Sequence, residues 1–260
     1  MSQTKIEWAD KVWNPITGCS PISEGCQNCY AKRMAYRLQG RYGYPLKWKD
    51  DPFQVTFHPD RLEEPLHWKK PSRIFVCSMG DIFHDNVDAF QIGSIFIKIL
   101  RYSQHIFLIL TKRPQRFLKL VPPIQLPPNI WFGVSVENQQ TADERIPILL
   151  QIPAAKRFVN VEPMLGSIKI PDRSLCPCSC YVGGNPHPDC AGQPKIDWVI
   201  CGGETGSKAR PMQPDWIRSL RDQCQAAGVP FFFKSWGDAI PNRYLAPGII
   251  DGKKWREFPK

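Results

Sequence analysis

Three cysteines, Cys19, Cys26 and Cys29, fall within eleven residues of Gly18-Cys-Ser-Pro-Ile-Ser-Glu-Gly-Cys-Gln-Asn-Cys29-Tyr30. The loop is rich in Gly, Pro and Ser, and a helical pattern begins directly after it. Three thiolates gathered on one short loop suit a metal. They suit an iron–sulfur cluster with one iron left uncapped at least as well as a closed zinc site. The bland alternative is three cysteines that share no ligand.

What must position such a loop is a chain of 260 residues, long enough for one large domain or two small ones around a real core. Hydrophobic residues make up 42%, which excludes a disordered chain. Lys and Arg number 34 against 24 Asp and Glu, a formal charge of +10. That balance permits a nucleic acid or another polyanion as partner, and is equally the mark of a generally basic surface. The chain opens on polar residues of mixed charge, with no apolar export segment. Its most apolar stretch, from Ile92 to Leu110, is broken by Lys98, Arg101, Gln104 and His105, so no membrane span is expected. A cytoplasmic protein is therefore expected, and in a reducing compartment ten cysteines point to metal ligation rather than disulfides.

Along the chain, short continuously apolar runs alternate with helical patterns or long connections. The runs are Trp8 to Pro15, Arg73 to Ser78, His105 to Leu110, Asn129 to Ser135, Lys156 to Val161, Ile196 to Cys201 and Val229 to Phe233. Helices are expected over 31–38, 87–102, 115–120, 141–151 (interrupted by Pro147) and 214–227, with a long connection over 44–72 that holds one short helix near Arg61. Strands apolar on both faces belong to parallel sheets covered by helices. A doubly wound sheet fits this pattern. A partial or complete (β/α) barrel is favoured, because nearly every strand ends in polar or charged residues.

Those ends collect Gly80 and Asp81, Lys112 and Arg113, Ser135, Glu137 and Asn138, then Glu162, Glu204 and Lys234. For any one of them a salt bridge or a helix cap is the simpler account. Recurrence on consecutive strand ends is what a ring of site residues around the three-cysteine loop would produce.

A three-cysteine loop after the first strand of a barrel resembles the radical S-adenosylmethionine (SAM) superfamily. The chain is more closely similar to one branch, a phage and prophage family of unknown function with a three-cysteine motif. Trp13-Asn-Pro-Ile-Thr-Gly-Cys19, Gly25-Cys-Gln-Asn-Cys-Tyr-Ala31, Ser78-Met-Gly-Asp-Ile-Phe83 and Leu110-Thr-Lys-Arg-Pro114 carry the resemblance. Val159-Asn-Val-Glu-Pro163, Gly202-Gly-Glu204, Phe232-Phe-Lys-Ser-Trp-Gly237 and Asp251-Gly-Lys-Lys-Trp255 continue it. The chain departs from the best-known superfamily spacing: six residues, not three, separate the first two cysteines, and the aromatic Tyr30 follows the third cysteine instead of preceding it.

The resemblance implies a barrel of radical-SAM type over 1–260. It implies a [4Fe–4S] cluster on Cys19, Cys26 and Cys29, whose open iron chelates SAM, and reductive cleavage of SAM to a 5′-deoxyadenosyl radical. An external reductant such as a flavodoxin or ferredoxin follows. By position, Gly80 and Asp81 would meet the SAM amino group, Lys112 or Arg113 its carboxylate, and Ser135 and Asn138 the ribose. Glu162, Glu204 and Lys234 are left for substrate.

A second group, Cys176, Cys178, Cys180 and Cys190 with His187 between, marks a small Cys-rich insertion over 174–194. Soft ligands this close in a coreless loop read as a structural zinc knuckle or as a second cluster. Residues 238–260 form a C-terminal extension. Cys77, Cys201 and Cys224 sit in apolar runs or on an apolar helix face, and are expected in the core.

Two functions are therefore carried forward. One is a radical-SAM-like [4Fe–4S] enzyme acting on a nucleobase or nucleotide. The other is a zinc-stabilised nucleic-acid-binding protein without redox chemistry, against which the acidic strand ends speak.

Overall fold

The computed structural model describes residues 4, 6–121, 125–175, 193–239 and 247–260. Two compact units divide the chain, Met1–Gly133 and Val134–Lys260.

In the first unit, β1 (Lys11–Trp13) and β2 (Ile16–Thr17) lead into the cysteine loop, followed by α1 (Tyr30–Arg37) and β3 (Thr56–Phe57). Then come β4 (Arg73–Val76), α2 (Ala89–Arg101), β5 (Ile106–Thr111), α3 (Pro114–Leu120) and β6 (Ile130–Val136), the last astride the division. The second unit continues with α4 (Gln139–Gln151), β7 (Lys156–Val161), α5 (Asp172–Leu175), β8 (Trp198–Cys201), α6 (Pro214–Ala226) and β9 (Phe231–Phe233). It closes on the antiparallel pair β10 (Ile249–Ile250) and β11 (Lys253–Lys254).

Seven of these strands form one sheet in the order β1-β4-β5-β6-β7-β8-β9. The pairs β1·β4, β4·β5, β7·β8 and β8·β9 are parallel. A doubly wound sheet must reverse its strand order somewhere; this one never does. A strand order that always steps the same way is the winding of a (β/α) barrel. Because β1 and β9 are the two edges, the fold is the partial form of that barrel. The composition explains the burial: every residue of β6 is buried, and Phe107, Leu108, Ile109, Val199 and Ile200 have no exposed surface.

Helix starts follow from local chemistry. Asp88 caps α2 and Asn138 caps α4, each in a reciprocal capping box, with Gln91 and Thr141 respectively. Proline opens α3 and α6, where a missing N–H costs nothing. The structure departs from the sequence expectation at Pro147, where α4 continues instead of breaking. Ile146 and Leu149, both buried on either side of it, hold the face that the proline would release. The connection over 44–72 also proves more structured than expected. The short helix expected near Arg61 is a 3-10 turn, Pro59–Arg61, and besides it the connection carries β3, paired antiparallel with β2, and a second 3-10 turn, Glu64–His67.

The expected insertion over 174–194 lies outside the described residues except at its ends, as do Cys176, Cys178, Cys180 and Cys190. Of the C-terminal extension, Trp255 is buried in the second unit and its carbonyl accepts from Phe233 N at 2.8 Å. Among the described residues no helix is long and apolar enough to cross a membrane. Cys77, Cys201 and Cys224 are buried, as expected for core residues.

Candidate functional site

The cysteine loop begins where two backbones touch. Gly18 pairs with Gly80 in an isolated parallel bridge, and Gly18 N donates to Met79 O at 2.8 Å. A Cβ on Gly18 would lie 2.0 Å from the Gln54 carbonyl oxygen, and one on Gly80 would lie 2.8 Å from the Gly18 oxygen. Gly18 also has φ +85. Both glycines are therefore required, which explains why each stands beside a residue expected in the site. Cys19 N then donates to Phe53 O, and Cys29 stands at the start of α1. Cys19 and Cys29 also pack against the cluster of Ala35, Tyr44, Phe53 and Met79.

Two consecutive cations at the end of β5 reach the thiols. Arg113 Nη1 lies 3.4 Å from Cys19 Sγ, and Lys112 Nζ lies 3.7 Å from Cys26 Sγ and 3.4 Å from Ser23 Oγ. Arg113 is buried. Its Nη1 is also 3.4 Å from Asp81 Oδ2, while its Nη2 donates to Ser20 O at 3.0 Å and Ser20 Oγ at 3.2 Å. Asp81 is buried in turn, and accepts from Thr111 Oγ1 (2.8 Å), Phe83 N (3.0 Å) and Lys112 N (3.1 Å) as well. One carboxylate thus fixes the end of β5 and the guanidinium that braces the loop.

His84, which the sequence reading missed, joins this network. Its Nδ1 accepts from Asn86 N at 3.1 Å, so the neutral ring carries its proton on Nε2 and donates to Ser20 Oγ at 2.7 Å. Burial, with the Arg113 charge beside it, lowers the His84 pKa and keeps the ring neutral. Only its place three residues after Asp81 hinted at this.

The two thiols are tuned in opposite directions. Burial, with the Asp81 carboxylate behind it, pushes Cys19 up to about 11 against the pull of Arg113. Burial also acts upward on Cys26, but the Lys112 charge and hydrogen bonds from the Ile22–Ser23 turn outweigh it and bring this thiol below the ordinary value. For Arg113, burial favours loss of charge, yet Cys19 and Asp81 prevail and raise its pKa. All three cysteines are free and half-buried. No three His, Cys, Asp or Glu among the described residues gather around a point where a single metal ion would sit.

In the second unit the expected site residues meet mainly one another or nearby arginines. Glu137 is fully buried and pairs with Arg145, whose Nη1 donates to it at 3.2 Å and to Ser135 O at 2.7 Å. Ser135 is buried, and the Asn138 side chain caps α4. Glu204 is buried against Arg210, which reaches it through Nη2 at 2.6 Å and Nε at 2.9 Å. Glu162 and Lys234 bind each other at the ends of β7 and β9, each partly exposed. Sequence alone missed Arg145 and Arg210; each follows its carboxylate by less than ten residues, the one signal that pointed to them.

A family model described as protein of unknown function (DUF5131) matches residues 3–259. A search of the curated proteins finds no match. Among solved structures, a cysteine-to-serine variant of spore photoproduct lyase is similar at 12% identity and a TM-score of 0.47, over 91% of this chain and 78% of that one. Matched from its third residue to its last but one, the chain belongs to the DUF5131 family of proteins of unknown function.

Proposed function

We propose that this protein is a radical-SAM-like enzyme that holds a [4Fe–4S] cluster on Cys19, Cys26 and Cys29 and acts on a nucleobase or nucleotide. One observation carries the reading: the two consecutive cations Lys112 and Arg113 each direct an N–H group at a cysteine sulfur of the same loop. The donor set fits the group. Three free thiols on one loop supply three of four cluster ligands and leave one iron for a small molecule. Cluster and SAM together supply one-electron cleavage of a SAM carbon–sulfur bond, with the electron drawn from a flavodoxin- or ferredoxin-type reductant.

The chain's own residues hold and tune. Cys19 holds its proton at neutral pH in the metal-free chain, and Arg113 would stand against the thiolate that a cluster requires there. Lys112 does the same for Cys26. N–H donors on cluster sulfurs raise the reduction potential. Asp81, with its oxygens committed to four donors, acts as a positioning residue through Arg113. Gly80 and Lys112 remain the contacts proposed for the SAM amino and carboxylate groups, and Ser135 and Asn138 those for its ribose. Glu162 and Lys234 are proposed to face substrate, with Glu204 held in place by Arg210.

Protein purified without oxygen is expected to be brown, with about four irons and four sulfides per chain. Replacing Cys19, Cys26 and Cys29 together by Ala should remove them. With SAM and dithionite, the cluster-loaded protein should release 5′-deoxyadenosine or methionine. Colourless protein that takes up only zinc after anaerobic reconstitution would overturn the reading.

A further inference from the structure

From Gly25 to Lys49 the chain carries no acidic residue and six basic ones, Lys32, Arg33, Arg37, Arg41, Lys47 and Lys49. Five aromatic residues are interleaved with them. The fold uses two: Tyr44 is buried, and Tyr36 donates its hydroxyl to Asp51 at 3.1 Å. The other three lie open to solvent, Tyr30 at 53%, Tyr42 at 74% and Trp48 at 76% exposure.

Tyr42 is held in a backbone conformation that L side chains rarely adopt, with φ 51. It sits in a turn closed by Gly40 N to Tyr44 O at 2.7 Å and Tyr44 N to Arg41 O at 2.9 Å, and Arg61 Nη2 donates to its carbonyl at 2.6 Å. This is a strained position occupied by a large exposed ring where glycine would rest without strain. The turn that bears Trp48 lies against it: Lys47 N donates to Gln39 Oε1 at 3.3 Å, and Leu46 packs over Gly40. Lys49 Nζ lies 5.0 Å from the centre of the Trp48 ring, a cation beside an open π-face.

Open rings beside Arg37, Arg41, Lys47 and Lys49, which are exposed and make no ion pair among the described residues, match one polymer chemistry, unpaired bases on a phosphate backbone. A duplex hides its base faces, and an acidic protein has no need of flat rings. We propose that this surface docks a single-stranded nucleic acid, with bases stacked on Tyr42 and Trp48 and phosphates at Arg37, Arg41, Lys47 and Lys49. The proposal deepens the nucleobase part of the function above and rests on it only for the claim that the bound strand is substrate.

Fluorescence anisotropy of a labelled 20-nucleotide DNA strand with the full chain tests it. Binding is expected at roughly micromolar concentration in 50 mM salt, with a log–log salt slope of about −2 to −3.5 for three to five phosphates. Trp48→Ala should weaken binding ~5-fold or more. Tyr42→Gly should do the same while the melting temperature stays level or rises, a combination that a structural role for the ring would not give. An RNA strand of the same sequence is the second arm, and tighter binding to either strand names the kind of substrate. Absence of binding, equal binding of a duplex, or binding that ignores both aromatic substitutions would overturn the proposal. Iron content reports on the cluster and anisotropy on the strand, so failure of one is visible apart from the other.

Discussion

The polar strand ends of the first unit and those of the second use the same residue types to opposite effect. At the end of β5, Asp81 gathers four donors, yet Arg113 still reaches Cys19 and Lys112 still reaches Cys26. At the ends of β6 and β8, the buried carboxylates of Glu137 and Glu204 are paired with Arg145 and Arg210, and among the described residues neither arginine is seen to reach a sulfur. The difference lies in how many N–H groups remain once burial has been compensated. A buried carboxylate needs a cation or several donors. Backbone and hydroxyl donors share that task around Asp81, so part of the Arg113 guanidinium can serve sulfur. Charge at a strand end is thus no evidence of a site by itself; what its partner leaves over is.

The largest effect expected from this contrast is in the second unit. Arg145→Ala removes the guanidinium that compensates the charge of the fully buried Glu137 carboxylate and should cost about 3–5 kcal/mol in urea unfolding. Replacing both residues with apolar ones of similar volume should cost less than Arg145→Ala alone. A loss under about 1 kcal/mol would mean that water reaches Glu137, and the contrast between the units would break.

Next in size is the divergence of the two thiols. In metal-free protein at pH 8.5, iodoacetamide should label Cys26 at least ~10-fold faster than Cys19, read by mass spectrometry. Cys26 has its pKa lowered, so its rate levels off below the ordinary thiol range, while that of Cys19 keeps rising toward about pH 11. Lys112→Met should slow Cys26 several-fold by removing the charge that favours its thiolate. Equal rates at the two cysteines would remove the claim that β5 acts on sulfur.

The smallest effect belongs to Glu162 and Lys234, the partly exposed pair. Glu162→Gln should change stability by less than ~1 kcal/mol, because solvent screens such a pair. Lost activity at retained stability would set this pair apart from Glu137 and Glu204 as residues in contact with substrate. A loss of several kcal/mol would place it with them.

Much of the fold was legible because its strands are buried on both faces. Runs such as Ile106–Thr111 and Ile130–Val136 are long, apolar and β-branched, so few other structures would accept them. Helices over 87–102 and 141–151 were legible from their period, whereas the caps Asp88 and Asn138 that start them were not singled out as caps. The pairing of β2 with β3 was not legible, because two residues carry no period and their partners lie some forty residues on. Nor was the continuity of α4 through Pro147, which buried neighbours decide. The three-cysteine loop could be found from spacing alone, whereas its bracing by Ser20, His84 and Arg113 spans 64 and 93 residues of chain.

The sequence by itself determined which atoms are at hand: three thiols on one loop, cations and carboxylates at strand ends, and an acid-free run of aromatic and basic residues after Cys29. Only the tertiary structure decided who meets whom. Hydrogen bonds and ion pairs act over a few ångströms, and the sheet, not chain distance, brings Arg113 to Cys19 and leaves Trp48 open. Cations are therefore paired with carboxylates at some strand ends, and set beside sulfur at one.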